Sequence, residues 1–232
     1  MDQVLYSLYT VIFIVLTGWS FRVWRQSKSI GTLMVVLVNA AMIYENGILA
    51  VGVLIGHGSL LEALSWGRFI GYAVFPAFLV ISALDLAKRS GAQFAARRNV
   101  WIGAWVFVFA LIAFALLVEV IGRQLAPREL NGVIRYMWAN KGVPPLGVIL
   151  MNISLIGFGV VVWRKAHSPI LLLGAIFLLV GDGIAAGRYV LGSGIEMIFM
   201  IALLAAEIWM LRHIAADQSA TQARLQTRAV GD

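Results

Sequence analysis

The chain has 232 residues, of which 61% are hydrophobic and only 12% charged, with a mean hydropathy of +0.90. A soluble domain carries roughly 25% charged residues to solvate its surface, so half that share excludes an ordinary water-soluble globule and points to a bilayer as partner. Cysteine is absent and the only histidines, His57, His167 and His213, do not pair at ligand spacing, which argues against thiolate chemistry and a histidine-built zinc or haem site; no metal or cofactor is expected, and the net charge of +7 reads as basic loops facing headgroups rather than as a nucleic-acid footprint.

Crossing the hydrocarbon core takes about 20 mostly apolar residues in a helix, and the spacing predicts seven such runs. The first, 4–22, has no basic residue before it and no small-residue cleavage site, unlike a cleavable signal peptide. It closes at Arg22–Val23–Trp24–Arg25–Gln26–Ser27–Lys28. The second, 31–55, carries Asn39, Glu45 and Asn46. The third, 61–86, carries Arg68 and Tyr72 and ends at Lys88–Arg89; the fourth covers 100–122. The connection from 124 to 143 interleaves Leu130, Val133, Ile134, Met137 and Trp138 with polar residues, as expected of a segment in the membrane interface, either a plain amphipathic connector or a lid over the bundle mouth. The fifth run, 144–163, holds Asn152 and stops at Trp163–Arg164–Lys165. The sixth, 169–190, starts at Pro169 and carries Asp182 and Arg188. Gly192–Ser193–Gly194 marks its boundary with the seventh, 193–211, which holds Glu196 and Glu207. Residues 214–232 read as a polar tail. No internal repeat or long linker interrupts the chain, so the expectation is one all-α, seven-transmembrane-helix bundle over 1–213.

Orientation follows from basic residues. Arg22, Arg25, Lys28, Lys88, Arg89, Arg97, Arg98, Arg164 and Lys165, with Arg212, Arg224 and Arg228 of the tail, fall on one side; Arg123, Arg128, Arg135 and Lys141 fall on the other. The positive-inside rule then places the tail in the cytoplasm and the N-terminus outside a cytoplasmic membrane.

Polar groups at hydrocarbon depth cost about 2.5–3.5 kcal/mol each on insertion scales, so they persist where they pair, face a cavity or act. Counting along the helices puts Glu45, Arg68, Asn152, Asp182, Arg188 and Glu196 in the outer half, with Glu45–Arg68 the expected ion pair. Arg68, Tyr72, Phe75, Pro76 and Leu79 share one helical face, as do Glu196, Met200, Leu203 and Glu207. One reading is a buried network that fixes helix register. The other is a site in which Glu45, Arg68 and Asp182 are catalytic and Asn46, Tyr72, Asn152, Arg188 and Glu196 bind ligand. Asp85, beside Lys88 and Arg89, and Glu119, near Arg123, read as interface charges. Trp24, Trp66, Trp101, Trp138, Trp163 and Trp209 read as belt residues.

In size and layout, and in the series Arg68, Tyr72, Pro76, Asp85 and Glu196, the chain resembles the microbial rhodopsins. It departs from them where a retinal Schiff base needs a lysine inside the bundle: Leu204 and Ile208 stand at the counter-ion and Schiff-base positions, and Lys28, Lys88, Lys141 and Lys165 all lie at span ends or in loops. Glu45 after Tyr44 in the second run, plus an acid late in the chain, also resembles the small integral membrane terpene cyclases. That resemblance implies protonation of an epoxide or alkene by a carboxylic acid in the bundle, with aromatic faces steadying a cation. The expected function is therefore binding or acid-catalysed conversion of a small lipophilic, isoprenoid- or lipid-like molecule. A non-enzymatic sensor or scaffold subunit and an ion or solute transporter are the alternatives, the last without the inverted repeats or paired broken helices that transporters show.

Overall fold

The structure, a computed structural model, describes residues 2–140, 146–185 and 188–231, with side chains as far as residue 216. Lys141 and the end of the 124–143 connection therefore lie outside the described residues. The chain is mostly helical: α1 (Asp2–Ser27), α2 (Ile30–Ile55), α3 (Ser59–Val74), α4 (Leu79–Arg89), α5 (Arg98–Ala115), α6 (Leu146–Ala166), α7 (Ile170–Ile184) and α8 (Tyr189–Gly231). α3 and α4 are two halves of one rod, Ser59–Arg89, so seven rods run back and forth. Six of them are long and apolar enough to cross a membrane; α7, with 15 residues, is shorter.

The rods form where hydropathy is sustained, and they break where local chemistry requires it. Lys28, at φ 51°, reverses the chain after α1, and Ser29 caps α2 by accepting from the Thr32 amide at 3.3 Å. Pro76 has no N–H to give the Tyr72 carbonyl, so the third run does not continue as one α-helix. A short 3₁₀ turn, Pro76–Phe78, joins α3 to α4. α5 ends in one π-helical turn over Leu116–Val120 that carries Glu119.

Two expectations are corrected. The boundary before the last rod is not Gly192–Ser193–Gly194. α7 ends at Ile184, with the Ala185 amide closing on the Gly181 carbonyl, and α8 begins at Tyr189 and runs through all three residues. A single glycine costs a helix only about 1 kcal/mol, too little to interrupt an apolar helix held by neighbours. The backbone of α8 also continues as helix through the polar tail to Gly231.

The chain is not purely α either. Leu125–Leu130 and Val133–Trp138 pair as an antiparallel hairpin, β1 and β2, in the register Leu125↔Trp138 to Leu130↔Val133. Its two-residue turn is Asn131–Gly132, at φ 52° and 78°, the backbone that a tight hairpin requires and that Asn-Gly adopts at least cost. The hairpin lies on one end of the bundle. Asn131 donates to the Asp2 carboxylate at 2.9 Å, and Val133, Arg135 and Tyr136 are buried. The backbone carbonyl of Ile134 rests directly on Gly52 of α2, where a Cβ would have no room.

Beneath the hairpin, α1 packs on α2 and α8, α4 fits between α2 and α6, and α6, α7 and α8 follow in sequence. Phe13, Val35, Ile81, Leu84, Leu155, Leu171, Phe199 and Leu203 make the apolar middle. Gly52→Ala is expected to push the hairpin off α2 and cost about 1–3 kcal/mol. Gly47→Ala, whose Cβ would meet only Thr10 Cγ2 at an ordinary 3.8 Å, should be near neutral; thermal unfolding of both variants in detergent checks the contrast.

Candidate functional site

Polar side chains gather at two levels of the bundle. At the end away from the hairpin, Arg89 of α4 donates from Nε to Asp85 at 2.8 Å and from Nη2 to Glu207 of α8. Thr32 of α2 donates to the same Glu207 oxygen at 2.9 Å, and Ser29 donates to Asp85. Glu207 is fully buried and Asp85 is 5% exposed. Asp85 is therefore not the simple interface charge expected of it. Its i,i+4 partner and the Ser29 hydroxyl draw it inward, and α8 supplies the second carboxylate from 118 residues away. This cluster ties three rods together and pairs its charges internally, although Arg89 Nη1 and Glu207 Oε1 stay buried without a hydrogen-bond partner.

The second level lies under the hairpin. A cavity of about 300 Å³ sits between α2 and α3, lined by Leu37, Ala41, Tyr44, Glu45, Arg68 and Tyr72 among others. Small residues make the space: Ala40 and Ala41 on one wall, Gly67 and Gly71 on the other. Tyr44 bounds it by donating to the Leu64 carbonyl at 2.9 Å, its hydroxyl lying where a Cβ at Gly67 would be 2.6 Å away. Leu37, Ala40 and Tyr44 are exposed on the outer surface of α2, so the cavity opens sideways, between two spans, rather than along the bundle axis.

Deeper in, acids converge on Tyr72. Glu196 of α8 and Asp182 of α7 are half-buried, and Asn152 of α6 is buried. Glu45, Asp182, Glu196 and Glu119 all sit close enough to act electrostatically on Tyr72. On its other side Tyr72 borders a smaller space lined by Pro76, Leu111, Glu119 and Met151. The Pro76 break and the π turn thus flank the same tyrosine. Buried Asn152 keeps Oδ1 without a partner, as do Asn39 and Asn46.

Of the eight residues singled out in the sequence, Glu45, Arg68 and Tyr72 line the α2–α3 cavity, while Asn152, Asp182 and Glu196 lie on α6, α7 and α8 outside its lining. Two stand apart. Asn46 is buried but donates to its own helix at the Met42 carbonyl, 3.0 Å away, and does not line the cavity. Arg188, expected inside a span, lies exposed in the link between α7 and α8 because α7 stops at Ile184. The expected Glu45–Arg68 ion pair is also absent: among the described residues the ion pairs are Arg89–Asp85 and Arg89–Glu207. Arg68 instead donates from Nη2 to the Tyr136 carbonyl of β2 at 3.0 Å, captured by the hairpin backbone.

The hairpin also brings in residues that hydropathy did not single out. Arg135 of β2 is 5% exposed, donates to the Tyr6 hydroxyl at 3.3 Å and lies 4.3 Å over the Tyr189 ring. Trp138 stacks on Phe69 at 4.1 Å and meets Trp66 edge-on, so both tryptophans are tied to the hairpin contact. The Asn131–Gly132 pair was the available signal for this hairpin. Among the described residues, no group of three or more His, Asp or Glu side chains is arranged to hold a metal ion.

Comparison with known protein families and with curated proteins finds no match for this chain.

Arg89→Ala should be among the most damaging substitutions in the molecule. It leaves Asp85 and Glu207 buried against each other with no counter-charge, a loss of about 3–5 kcal/mol. Combining Arg89→Met with Asp85→Asn and Glu207→Gln should recover most of that loss, which melting of the single and triple variants in detergent will show.

Proposed function

We propose that this multi-pass membrane protein takes a small lipophilic molecule sideways from the bilayer into the α2–α3 cavity and binds it there or converts it by acid catalysis. The observation that carries the reading is the cavity itself. An apolar slot, open between two spans, holds a carboxylic acid, a guanidinium and a phenol on its walls. Its volume is at the small end of ligand pockets, and a few polar groups in an apolar lining are what fix a ligand's orientation. Glu45 is the general acid in this reading: partly buried, on the cavity wall, with Arg68 close enough for electrostatic influence and therefore placed to tune it.

A substrate of the isoprenoid type would take a proton from Glu45 at an alkene or epoxide. The resulting cation would be steadied by the faces of Tyr72 and Phe75 and would end by losing a proton to a carboxylate or by capturing water. Asp182 and Glu196, gathered around Tyr72, are the carboxylates that would receive or return that proton. The resemblance to membrane terpene cyclases goes with this chemistry. The membrane is the cytoplasmic one in this reading, with the N-terminus and hairpin outside and α8 ending in the cytoplasm, in keeping with the distribution of basic residues.

One contact favours a second reading. Arg68 anchors β2 through Tyr136, so the buried charges could serve only to hold the hairpin on a scaffold or sensor subunit. The readings separate on one pair of variants. Catalysis predicts that Glu45→Gln abolishes turnover of an isoprenoid substrate, and Ala41→Phe, which fills the cavity, abolishes binding, while neither changes the melting temperature. A scaffold predicts the reverse: a lower melting temperature and no ligand co-purifying in native mass spectrometry of the wild-type protein.

A further inference from the structure

Two guanidiniums are buried beneath the hairpin, and neither is neutralised there by an ion pair. Arg68 is 6% exposed and Arg135 is 5% exposed. Their direct hydrogen bonds go to a backbone carbonyl and to a phenol, both neutral. No carboxylate among the described residues forms an ion pair with either; Glu45, the nearest in electrostatic effect, acts on Arg68 from beyond that distance. Each arginine also keeps its Nε–H buried without an acceptor. The two meet on one strand: Arg68 donates to the carbonyl of Tyr136, the residue after Arg135, whose own guanidinium meets the Tyr6 hydroxyl and lies over the Tyr189 ring.

This arrangement is costly as it stands. An uncompensated buried charge destabilises by several kcal/mol, and two of like sign add repulsion. The opposite end of the bundle is neutralised instead: one guanidinium meets two carboxylates there, although Arg89 Nη1 also lacks a hydrogen-bond partner. Under the hairpin the counts are reversed: two forks with free donors and no directly bound anion. A guanidinium fork matches an oxyanion of carboxylate or phosphate geometry through paired N–H donors. Arg68 also lines the α2–α3 cavity, so its guanidinium forms a buried polar part of the wall of an apolar slot.

We propose that Arg68 and Arg135 together hold the oxyanion end, carboxylate or phosphate, of a single-chain amphiphile whose apolar part occupies the α2–α3 cavity. This rests on the reading of that cavity as a lipophilic-ligand site and names the class of ligand. The hairpin is then part of the binding site: β2 supplies one of the two cations, and its attachment through Tyr136 positions the other. Trp138, stacked on Phe69, seals the oxyanion end from water, which strengthens each charge-assisted bond.

The test uses the full chain in nanodiscs of phosphatidylcholine. Affinities are measured for oleate and farnesyl phosphate, for oleyl alcohol and farnesol as neutral twins, and for inorganic phosphate. The acids should bind at least about ten-fold more tightly than their alcohols, with inorganic phosphate alone far weaker. In Arg135→Gln, which leaves the cavity wall intact, the acid should lose its advantage while alcohol binding persists. Equal affinity of acids and alcohols for the wild-type chain overturns the oxyanion site, and that ratio can be read whether or not the variant folds. An undiminished acid preference in folded Arg135→Gln overturns the role of Arg135. Inorganic phosphate binding as tightly as the amphiphiles overturns the link to the cavity. If neither acids nor alcohols bind, the lipophilic-ligand reading falls with it; if alcohols bind and acids do no better, only the oxyanion site falls.

Discussion

A charged side chain at hydrocarbon depth must find its partner inside the protein, since lipid offers none. That constraint organises both ends of this molecule. Away from the hairpin, Arg89 reaches Asp85 on its own helix and Glu207 on α8, and the hydroxyls of Ser29 and Thr32 complete the set. The knot brings α2, α4 and α8 to a common point and leaves little for a ligand to do. Under the hairpin the partners are mismatched. Arginines rest on neutral acceptors, acids crowd one tyrosine, and a space stays open between α2 and α3. Between the two levels the packing is largely apolar, through Val38, Ile81 and Leu203, but it also buries Ser82 and Asn39, which donates to Ser20 at 3.4 Å.

The open level depends on breaks in regular structure. Pro76 stops α3 below the cavity, and the π turn at the end of α5 carries Glu119 toward the same place. A straight third rod would carry Tyr72 and Phe75 in an unbroken helix against α2. Here the chain turns through Pro76–Phe78 instead, and Tyr72 is left with space on both sides. π turns and proline breaks recur where a helix trades backbone regularity for a side-chain position.

The helical rods were legible in the sequence because hydropathy is summed over about 20 residues, and errors at single positions average out. That Glu45, Arg68 and Tyr72 share one level of the bundle was also legible, from depth counted along alternating helices, and all three line one cavity. What was not legible depended on short or distant interactions. The hairpin occupies 14 residues of mixed polarity, and its one clear mark, Asn131–Gly132, is weaker than any apolar run. Arg68 finds a backbone carbonyl 68 residues on rather than Glu45, a choice no periodicity encodes. Asp85 resembled a surface charge because its burial depends on α2, whose Gly31 it packs against and whose capping Ser29 bonds it. Gly192 and Gly194 looked like a boundary, yet α8 runs unbroken through both; Arg188 was accordingly placed inside a span rather than in the link before it.

The brevity of α7 has a consequence for the lipid around it. At 1.5 Å per residue its 15 residues rise about 22 Å, against a hydrocarbon thickness of about 30 Å. Hydrophobic mismatch of that size is relieved by thinning the leaflet beside the helix and by drawing headgroups and water inward. Asp182 lies two residues from the end of this helix, and so near one of the two ends where such thinning acts. Where α7 crosses a bilayer, a membrane of shorter acyl chains suits this flank of the protein better than a thick one.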